Sequence, residues 1–255
     1  MIKIGLGGSG GRMGNAVKEL ARTMEGVEIS VTFDPKEGDF ESISDCPDEA
    51  CEDVDVYVDF THPDAVFENV KSAAEKGVDV LIGTTGWYDR KNEVEDIAEA
   101  ENVRILYAPN FSIGVNALFA VVENLSSTLG ELGYDASVQE KHHTGKADSP
   151  SGTAKTLGEI LVDNIPGKES MAFERRGKRD DDEVDVLGAR VGSVAGEHEV
   201  TFVPENEYAE KLKLTHNAYG TEVFAKGALT GVKWLDRNQD MGSGLYNFKD
   251  DVLEL

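Results

Sequence analysis

Short apolar runs alternate with amphipathic segments through the first half of the chain. Residues 2–6 form an apolar run that leads into a glycine cluster and then into the helix-like segment 15–22. This order predicts a strand, a tight turn and a helix. Further strand-like runs, most of them separated by segments of helical length, cover residues 27–33, 54–60, 78–82 and 103–107.

Strands that alternate with helices pair in parallel through right-handed crossovers. We therefore expect a Rossmann-like α/β domain, in which a doubly wound parallel sheet has helices on both faces. Ligands of such sheets bind beyond the carboxyl ends of the strands. Candidate binding residues should therefore follow the strands directly.

The pattern changes after about residue 112, where strand-like segments follow one another with few helices between them. This arrangement predicts a second, α+β domain with an antiparallel sheet. Its helix-like segments cover 117–129 and 151–164, and its strand-like segments include 136–140, 197–203 and 211–216.

The end of the chain is helix-like at 221–235 and then rich in glycine. We assign residues 1–111 and 226–255 to the first domain and residues 112–225 to the second. No internal repeat is evident in either part.

Acidic residues strongly outnumber basic ones, since 49 Asp and Glu against 25 Lys and Arg give a formal net charge of −24. Such a surface repels nucleic acid, so we expect no nucleic-acid partner. An excess of carboxylates also suits concentrated salt, which screens their mutual repulsion. A halophilic source is a hypothesis, and activity that falls with added potassium chloride would contradict it.

The chain has no signal for a membrane or for export. No run approaches the roughly 18 uninterrupted apolar residues of a membrane span, and Met1 leads directly into a strand-like segment. We expect a cytoplasmic protein without a membrane partner.

The two cysteines, Cys46 and Cys51, lie in a polar stretch, where we expect ordinary thiols and no metal or redox site.

A glycine-rich segment follows the first predicted strand. Gly8, Gly10 and Gly14 fit a G-x-G-x-x-x-G variant of the dinucleotide-binding fingerprint. Missing side chains let the backbone approach a pyrophosphate, whose charge is met by amides at the helix N-terminus. The alternative is a flexible turn that uses glycine for its backbone freedom.

Asp34 stands at the end of the second predicted strand, where an acidic side chain accepts hydrogen bonds from the adenosine ribose. A carboxylate there favours NADH, because it repels the 2′-phosphate of NADPH. Lys36 can pair with that phosphate, although Pro35 between them alters its direction. Both cofactors therefore stay open, with NADH favoured, and the alternative for Asp34 is a turn-forming role.

Two histidines and two lysines are concentrated in residues 140–146 of an otherwise acidic chain. A cationic pocket is what captures an anionic substrate on such a surface. A solvated surface loop is the alternative. The next segment, 149–154, offers hydroxyls and free amides near a helix start, which suit carboxylate capture as well as helix capping.

Small residues follow the fourth and fifth predicted strands, at 83–86 and 108–112. Both loops should lie at the binding edge of the sheet, where small side chains let a nicotinamide ring approach. Either loop can equally be a plain turn.

Together these segments resemble the 4-hydroxy-tetrahydrodipicolinate reductase family, historically called dihydrodipicolinate reductase, almost from end to end. The most specific part is His142-His143-x-x-Lys146 followed by Pro150-Ser151-Gly152-Thr153. The other matching segments are Gly8 to Gly14, Val58-Asp59-Phe60-Thr61, Gly83-Thr84-Thr85-Gly86, residues 110–116, Gly196-Glu197-His198 and Gly244-Leu245-Tyr246.

The resemblance implies a role for individual residues. His142 matches the catalytic histidine and Lys146 the catalytic lysine, while His143, Gly152 and Thr153 match substrate-binding positions. The matches to cofactor contacts are Gly8, Ser9, Gly10, Gly11, Arg12, Met13, Asp34, Gly83, Thr84, Thr85, Ala108, Pro109, Asn110 and Phe111.

The resemblance also implies an activity and an assembly. Family members reduce a small cyclic dicarboxylate with NADH or NADPH in the diaminopimelate route to lysine, and they are usually homotetramers. The second domain is then the substrate-binding and oligomerisation domain, and the C-terminal tail rejoins the dinucleotide-binding domain. The segment with Arg175, Arg176 and Arg179 matches only loosely, so these arginines receive no role.

Two other functions are compatible with parts of this pattern. Another two-domain dehydrogenase, acting on an amino acid or a sugar, would share the fold alone. A regulator that senses a dinucleotide without turnover is the second alternative. His142 and Lys146 argue against the regulator, and no helix-turn-helix segment is evident.

Overall fold

The computed structural model describes residues 1–175, 177–205 and 210–255. It divides into two compact units, one formed by Met1–Ile113 with Thr221–Leu255 and the other by Gly114–Gly220. No helix in these described ranges is both long and apolar enough to cross a bilayer.

The strands and helices follow in chain order. The strands are β1 Ile2–Gly7, β2 Val27–Phe33, β3 Val56–Asp59, β4 Asp79–Ile82, β5 Arg104–Tyr107, β6 Tyr134–His142, β7 Ser170–Ala172, β8 Glu183–Arg190, β9 Gly196–Pro204, β10 Leu212–Ala218 and β11 Gly244–Asn247. The α-helices are α1 Arg12–Ala21, α2 Asp48–Cys51, α3 Pro63–Glu75, α4 Lys91–Ala100, α5 Ile113–Glu131, α6 Gly152–Asn164 and α7 Glu222–Arg237.

The first unit contains a six-stranded sheet in the order β11-β5-β4-β3-β1-β2, and every pair in it is parallel. Apolar clusters cover both faces, which is why its central strands are nearly continuous apolar runs. The predicted Rossmann-like sheet is confirmed. Strand order reverses beside β1, so ligands are expected at the carboxyl ends of β1 and β3.

One strand of this sheet was not predicted. The glycine-rich tail forms β11, which pairs in parallel with β5 from Gly244 to Asn247. This four-residue segment is too short, and too rich in small or polar side chains, to show a strand pattern in the sequence. Docking against the edge of β5 therefore determines its conformation.

The second unit has a five-stranded mixed sheet in the order β10-β9-β6-β8-β7. The predicted antiparallel pairing is confirmed for β9, which pairs with β6 and with β10. It is wrong for β8, which runs parallel to both of its neighbours, β6 and β7. Helix α6 follows β6 and supplies the crossover that parallel strands need. One face of the sheet carries the apolar residues Val138, Val186, Val200 and Phe202 of the core.

The prediction that the two cysteines are ordinary thiols was wrong. Cys46 and Cys51 form a disulfide, with their Cα atoms 6.4 Å apart. A 3₁₀ turn at Ile43–Asp45 and the single turn of α2 bring the two side chains together in the core of the first unit. Local composition does not reveal this approach, because it depends on how the turn packs.

Candidate active site

The glycine-rich loop between β1 and α1 depends on missing side chains. Gly8 has φ +71°, and a Cβ on it would lie 2.1 Å from the carbonyl oxygen of Phe60. On Gly14 a Cβ would lie 2.3 Å from the carbonyl oxygen of Gly8. These glycines therefore let the glycine loop approach the backbone after β3 and the start of α1. A turn that used glycine only for its backbone freedom would not need this close approach.

Two features of this loop suit an anion. Helix α1 begins after Gly11, whose lack of a side chain leaves the first-turn amides without a side-chain cap. Ser9 is buried, and its hydroxyl has no hydrogen-bond partner among the described residues. The loop thus offers unsatisfied donors at the positive end of a helix.

Asp34 lies beside the loop, directly after β2. Its Oδ1 accepts a hydrogen bond from the amide of Lys36 (3.0 Å), and its Oδ2 accepts one from the amide of Gly10 (3.1 Å). The Lys36 hydrogen bond, followed by that of Gly10, lowers the pKa of Asp34 despite some desolvation. Asp34 therefore stabilises a turn through the Lys36 amide, and it also places a negative charge next to the glycine loop through the Gly10 amide.

Asp59 joins the loops after β3 and β4, a role that the sequence analysis did not assign. The carboxylate is fully buried and accepts hydrogen bonds from Thr61 Oγ1 (2.9 Å), Asn69 Nδ2 (2.9 Å) and Thr84 Oγ1 (2.6 Å). The hydroxyl of Tyr57 donates to it as well. An aspartate that ends an apolar strand was the available signal.

All the predicted cofactor contacts lie in the first unit. They follow the carboxyl ends of β1, β2, β4 and β5, which belong to one sheet edge. Asn110 holds its own loop, since its Oδ1 accepts a hydrogen bond from the amide of Ser112 (2.8 Å). Gly83 makes room for Phe60, because a Cβ there would lie 2.1 Å from that ring.

The predicted catalytic residues lie in the second unit, at and just after the end of β6. Alternation along β6 directs Glu140 and His142 to the same face as the apolar Val138, and both are buried. His143 is half-buried and Lys146 follows in the loop. Sheet register places Glu140 opposite His198 of β9 and His142 opposite Arg190 of β8.

Glu140 is the centre of this arrangement. Its Oε1 accepts hydrogen bonds from Arg190 Nη1 and Nη2 (both 3.1 Å) and from the amide of Ser151 (3.0 Å). Its Oε2 lies 3.3 Å from Nδ1 of His142 and 3.6 Å from Nε2 of His198. Burial opposes ionisation, but the contacts with His142, His198 and Ser151 hold the pKa of Glu140 well below its usual range.

Lys146 is held by a neighbouring carboxylate. Its Nζ lies 2.8 Å from Oδ1 of Asp148, and this contact lowers the pKa of Asp148 against the opposing effect of burial. Arg190 also donates to the main-chain carbonyl of Asp148. The loop that carries Lys146 is therefore tied to the buried cluster around Glu140.

Helix α6 begins next to these residues. Ser151 is its N-cap, and the Ser151 hydroxyl accepts a hydrogen bond from the amide of Ala154 (3.3 Å) and contacts His198 Nε2 (3.2 Å). Gly152 and Thr153 are thus the first residues of a helix, and a Cβ on Gly152 would meet nothing within 4 Å. Open space at a helix N-terminus suits a carboxylate ligand.

Arg175 and Arg179, to which the resemblance gives no role, form ion pairs with acidic residues of the second unit. Arg175 pairs with Asp185 and with Glu183, and Arg179 pairs with Asp135. These contacts account for both charges within the second unit. Arg176 lies outside the described residues.

The sequence alone assigns no function to Glu140, Arg190 or His198. Glu140 and His198 were visible only as members of matching motifs, and Arg190 carried no signal. The cluster offers an ionised carboxylate, two imidazoles and a nearby ammonium, which together suit proton transfer to a bound anion.

Two family models match the chain. The model described as "Dihydrodipicolinate reductase, N-terminus" matches residues 2–111, and "Dihydrodipicolinate reductase, C-terminus" matches residues 114–253. Together they cover nearly all of both units.

Curated relatives carry a consistent name. The 4-hydroxy-tetrahydrodipicolinate reductase of Archaeoglobus fulgidus is 35% identical over 269 residues, which is 99% of this chain and 100% of that one. The protein of the same name from Methanopyrus kandleri is 41% identical over 202 residues, covering 78% of this chain and 71% of its own.

A solved structure has the same fold. The dipicolinate-bound dihydrodipicolinate reductase of Paenisporosarcina sp. TG-14 superimposes with a TM-score of 0.76 at 22% identity, over 98% of this chain and 99% of that one. This likeness supports the two-domain architecture.

Proposed function

The chain belongs to the dihydrodipicolinate reductase family, and from this we propose that it reduces 4-hydroxy-tetrahydrodipicolinate to tetrahydrodipicolinate with NADH or NADPH. This is the reduction that its relatives' name describes, within the diaminopimelate route to lysine. The segment from Glu140 to Thr153 carries the proposal. It combines a buried carboxylate–imidazole contact, a lysine and a helix N-terminus in one unit.

The first unit has the features that a nicotinamide dinucleotide needs. The glycine loop and α1 would hold the pyrophosphate, Asp34 would hold the ribose, and the loops at 83–85 and 108–111 would flank the nicotinamide. When bound, the reduced cofactor supplies the hydride. NADH is favoured, because the Asp34 carboxylate is ionised beside the loop and repels a 2′-phosphate.

The second unit supplies contacts for a dicarboxylate. Lys146 provides a point charge for a substrate carboxylate and for negative charge that develops in the transition state. His143 and the amides of Gly152 and Thr153 would orient the substrate, which lowers the barrier by holding reactants in position. His142 gives a proton to the substrate, since an imidazolium acts as a general acid.

We further propose that the protein assembles as a homotetramer, as the resemblance implies. The second unit would provide the interface. Light scattering on the purified chain measures the mass and decides this directly.

A coupled assay tests the activity. A separate synthase makes the substrate in place from pyruvate and aspartate semialdehyde, and loss of nicotinamide absorbance is followed with NADH and with NADPH at low and high potassium chloride. Substrate-dependent loss supports the reductase. No loss with folded protein and an active synthase would favour another dehydrogenase or a dinucleotide sensor.

Replacing Asp34 with alanine should mainly affect cofactor binding. We expect the KM for NADH to rise by about 10-fold, because a charge-assisted hydrogen bond contributes roughly 1.5 kcal/mol or more, while kcat stays near its original value. Steady-state kinetics with each cofactor measure this. Glu37→Ala, an exposed acid in the same turn, is the matched control, and an equal effect of both variants would contradict the role of Asp34.

Replacing Asp148 with asparagine should free the charge of Lys146. The two side chains are partly exposed, at 24% and 51%, so the pair contributes only a modest energy. We expect the KM for the substrate to fall by about two- to five-fold. A KM that rises in the steady-state assay would mean that Asp148 orients Lys146 instead of competing with the substrate.

A further inference from the structure

Glu140 is a charged side chain at a position that the alternation of β6 directs into the core. Its neighbour on the same face, Val138, is fully buried in the apolar cluster of the second unit. Burying an isolated carboxylate is very costly, so it requires charged or hydrogen-bonding partners. Gly188 on β8 leaves space for it, because a Cβ there would lie 2.8 Å from Oε1.

The two oxygens of Glu140 have different partners. Oε1 receives the three hydrogen bonds from Arg190 and from the amide of Ser151. Oε2 receives none of these and faces Nδ1 of His142 at 3.3 Å and Nε2 of His198 at 3.6 Å, which are ionic contacts and not aligned hydrogen bonds. One oxygen therefore anchors the carboxylate, and the other is directed to the two rings.

We propose that Glu140 is a positioning residue that holds His142 with its proton on Nδ1 when the ring is neutral, and that stabilises the ring when it is doubly protonated. This inference rests on the proposed reductase function. A carboxylate accepts but does not donate, so Nδ1 must carry a proton to satisfy it. Nε2 is then the nitrogen that releases a proton to the substrate and later regains one.

The surroundings of Nε2 are consistent with this assignment. A Cβ on Gly196 would lie 3.1 Å from Nε2 of His142, so the glycine keeps that side of the ring uncrowded. Among the described residues, no protein group donates to or accepts from Nε2. The nitrogen opposite the Glu140 contact is thus the one left for a ligand.

Of the two rings that face Oε2 of Glu140, His142 is the nearer. The titratable or charged groups around the pair are His198 on β9, Arg190 on β8, and Lys146 and Asp148 in the following loop. Burial, ahead of the opposing contact with Glu140, lowers the pKa of His198, so this ring is neutral at neutral pH. Arg190 is shared with the carbonyl of Asp148, which leaves the Oε2 side for His142.

The same three side chains, Glu140, His142 and His198, have atoms within 4.8 Å of one another, a spacing that a metal ion can use. The guanidinium of Arg190 lies against the same carboxylate and repels a second cation. Proton positioning therefore fits the cluster better than metal binding does.

Glu140→Gln tests the inference with little change in shape. Arg190 and the Ser151 amide hold the oxygen of the new side chain, so its NH₂ group points at His142 and donates to Nδ1. This favours the opposite tautomer and disfavours the doubly protonated ring. We expect kcat to fall by about 10²-fold, with a much smaller change in the KM for the substrate, and the apparent pKa in the kcat/KM profile to move down.

Two variants serve as comparisons. Glu140→Asp keeps the charge at a shorter reach and should recover part of kcat. Glu197→Gln removes one charge at the neighbouring position of β9, where the side chain is partly exposed and pairs with Lys141. It should leave kcat and the pH profile unchanged.

Nitrogen-15 NMR of the histidine rings reads the tautomer directly. The chain has only five histidines, so His142 is assigned by comparison with His142→Gln. Neutral His142 should carry its proton on Nδ1 in the original protein and on Nε2 in Glu140→Gln. This measurement needs no turnover and also serves if the coupled assay fails.

A double-mutant cycle with His142→Gln distinguishes positioning from a structural role. If Glu140 acts through His142, Glu140→Gln should reduce kcat much less in the His142→Gln background than in the original protein. Equal reductions in both backgrounds would overturn the inference, and so would an active original protein whose Glu140→Gln variant keeps its kcat and pH profile. An inactive original protein would instead contradict the proposed function, while the NMR result would still decide the tautomer.

Loss of folding in Glu140→Gln does not prevent the test, because the spectrum of the original protein suffices. Neutral His142 with its proton on Nε2 would overturn the proposal. Thermal unfolding of each variant shows which of them enter the kinetic comparison.

Discussion

Replacing Lys146 with alanine is expected to lower kcat/KM by about 10³-fold, with kcat and substrate affinity both reduced. The lysine supplies a positive charge within a chain of net charge −24, where a dicarboxylate otherwise meets repulsion. Its charge would contact the ground-state carboxylate and also the charge that builds up after hydride transfer. A loss in both parameters follows, because one contact forms before the transition state and strengthens in it.

Steady-state kinetics on matched variants isolate this effect. Lys211→Ala removes a lysine from an exposed position of the same unit and should change neither parameter. Lys146→Arg keeps the charge but replaces a compact ammonium by a planar group, so it should recover affinity more than kcat. Normal turnover in Lys146→Ala would refute the proposed role of Lys146.

Replacing Gly14 with alanine should weaken cofactor binding and the fold together. The added Cβ would lie 2.3 Å from the carbonyl oxygen of Gly8 and 2.6 Å from Cα of Ser9, and neither backbone atom can rotate away. The glycine loop must therefore shift from α1. We expect the Kd for NADH to rise by about 10²-fold, which equals about 2.8 kcal/mol, and the free energy of unfolding to fall by about 1–3 kcal/mol.

A fall in the free energy of unfolding is informative, because alanine in a helix interior would by itself raise it by roughly 1 kcal/mol relative to glycine. Gly242→Ala is the control, since a Cβ there meets nothing within 4 Å and its φ is not in the left-handed region. Calorimetric titration with NADH and thermal unfolding measure both quantities. Unchanged NADH binding in a folded Gly14→Ala protein would mean that the loop is not the pyrophosphate site.

Periodicity predicted most helices and strands, but not how strands pair. Strands β1, β3, β4 and β5 were recognised from nearly continuous apolar runs, because a strand buried on both faces needs apolar side chains at almost every position. In β2, at the edge of the sheet, polar residues alternate with apolar ones. The pairing of β8 with β6, the addition of β11 and the Cys46–Cys51 disulfide were not recognised. All three depend on contacts between segments that local patterns do not encode.

Motif spacing similarly located the segments of the candidate site and missed its internal contacts. The glycine loop and the cationic segment with His142 and Lys146 were chosen from residue type and position, and the resemblance to the family supplied the catalytic roles. Arg190 was missed because it lies 50 residues from Glu140 in sequence, and the two meet only through the register of β6 and β8. A shift of one residue in that register would turn Arg190 to the opposite face of the sheet.

The chain's own sequence was sufficient to establish the family, the Rossmann-like fold of the first unit and the residue types that the chemistry needs. The fold follows from periodicity, the residue types follow from glycine spacing and a cationic segment in an acidic chain, and the family follows from the resemblance of the chain's motifs. Tertiary structure alone decided that Glu140 meets Arg190, His142 and His198, and that Asp59 ties the loops after β3 and β4 together. The physical reason is burial, because a carboxylate is tolerated inside a protein only where folding brings distant donors to it.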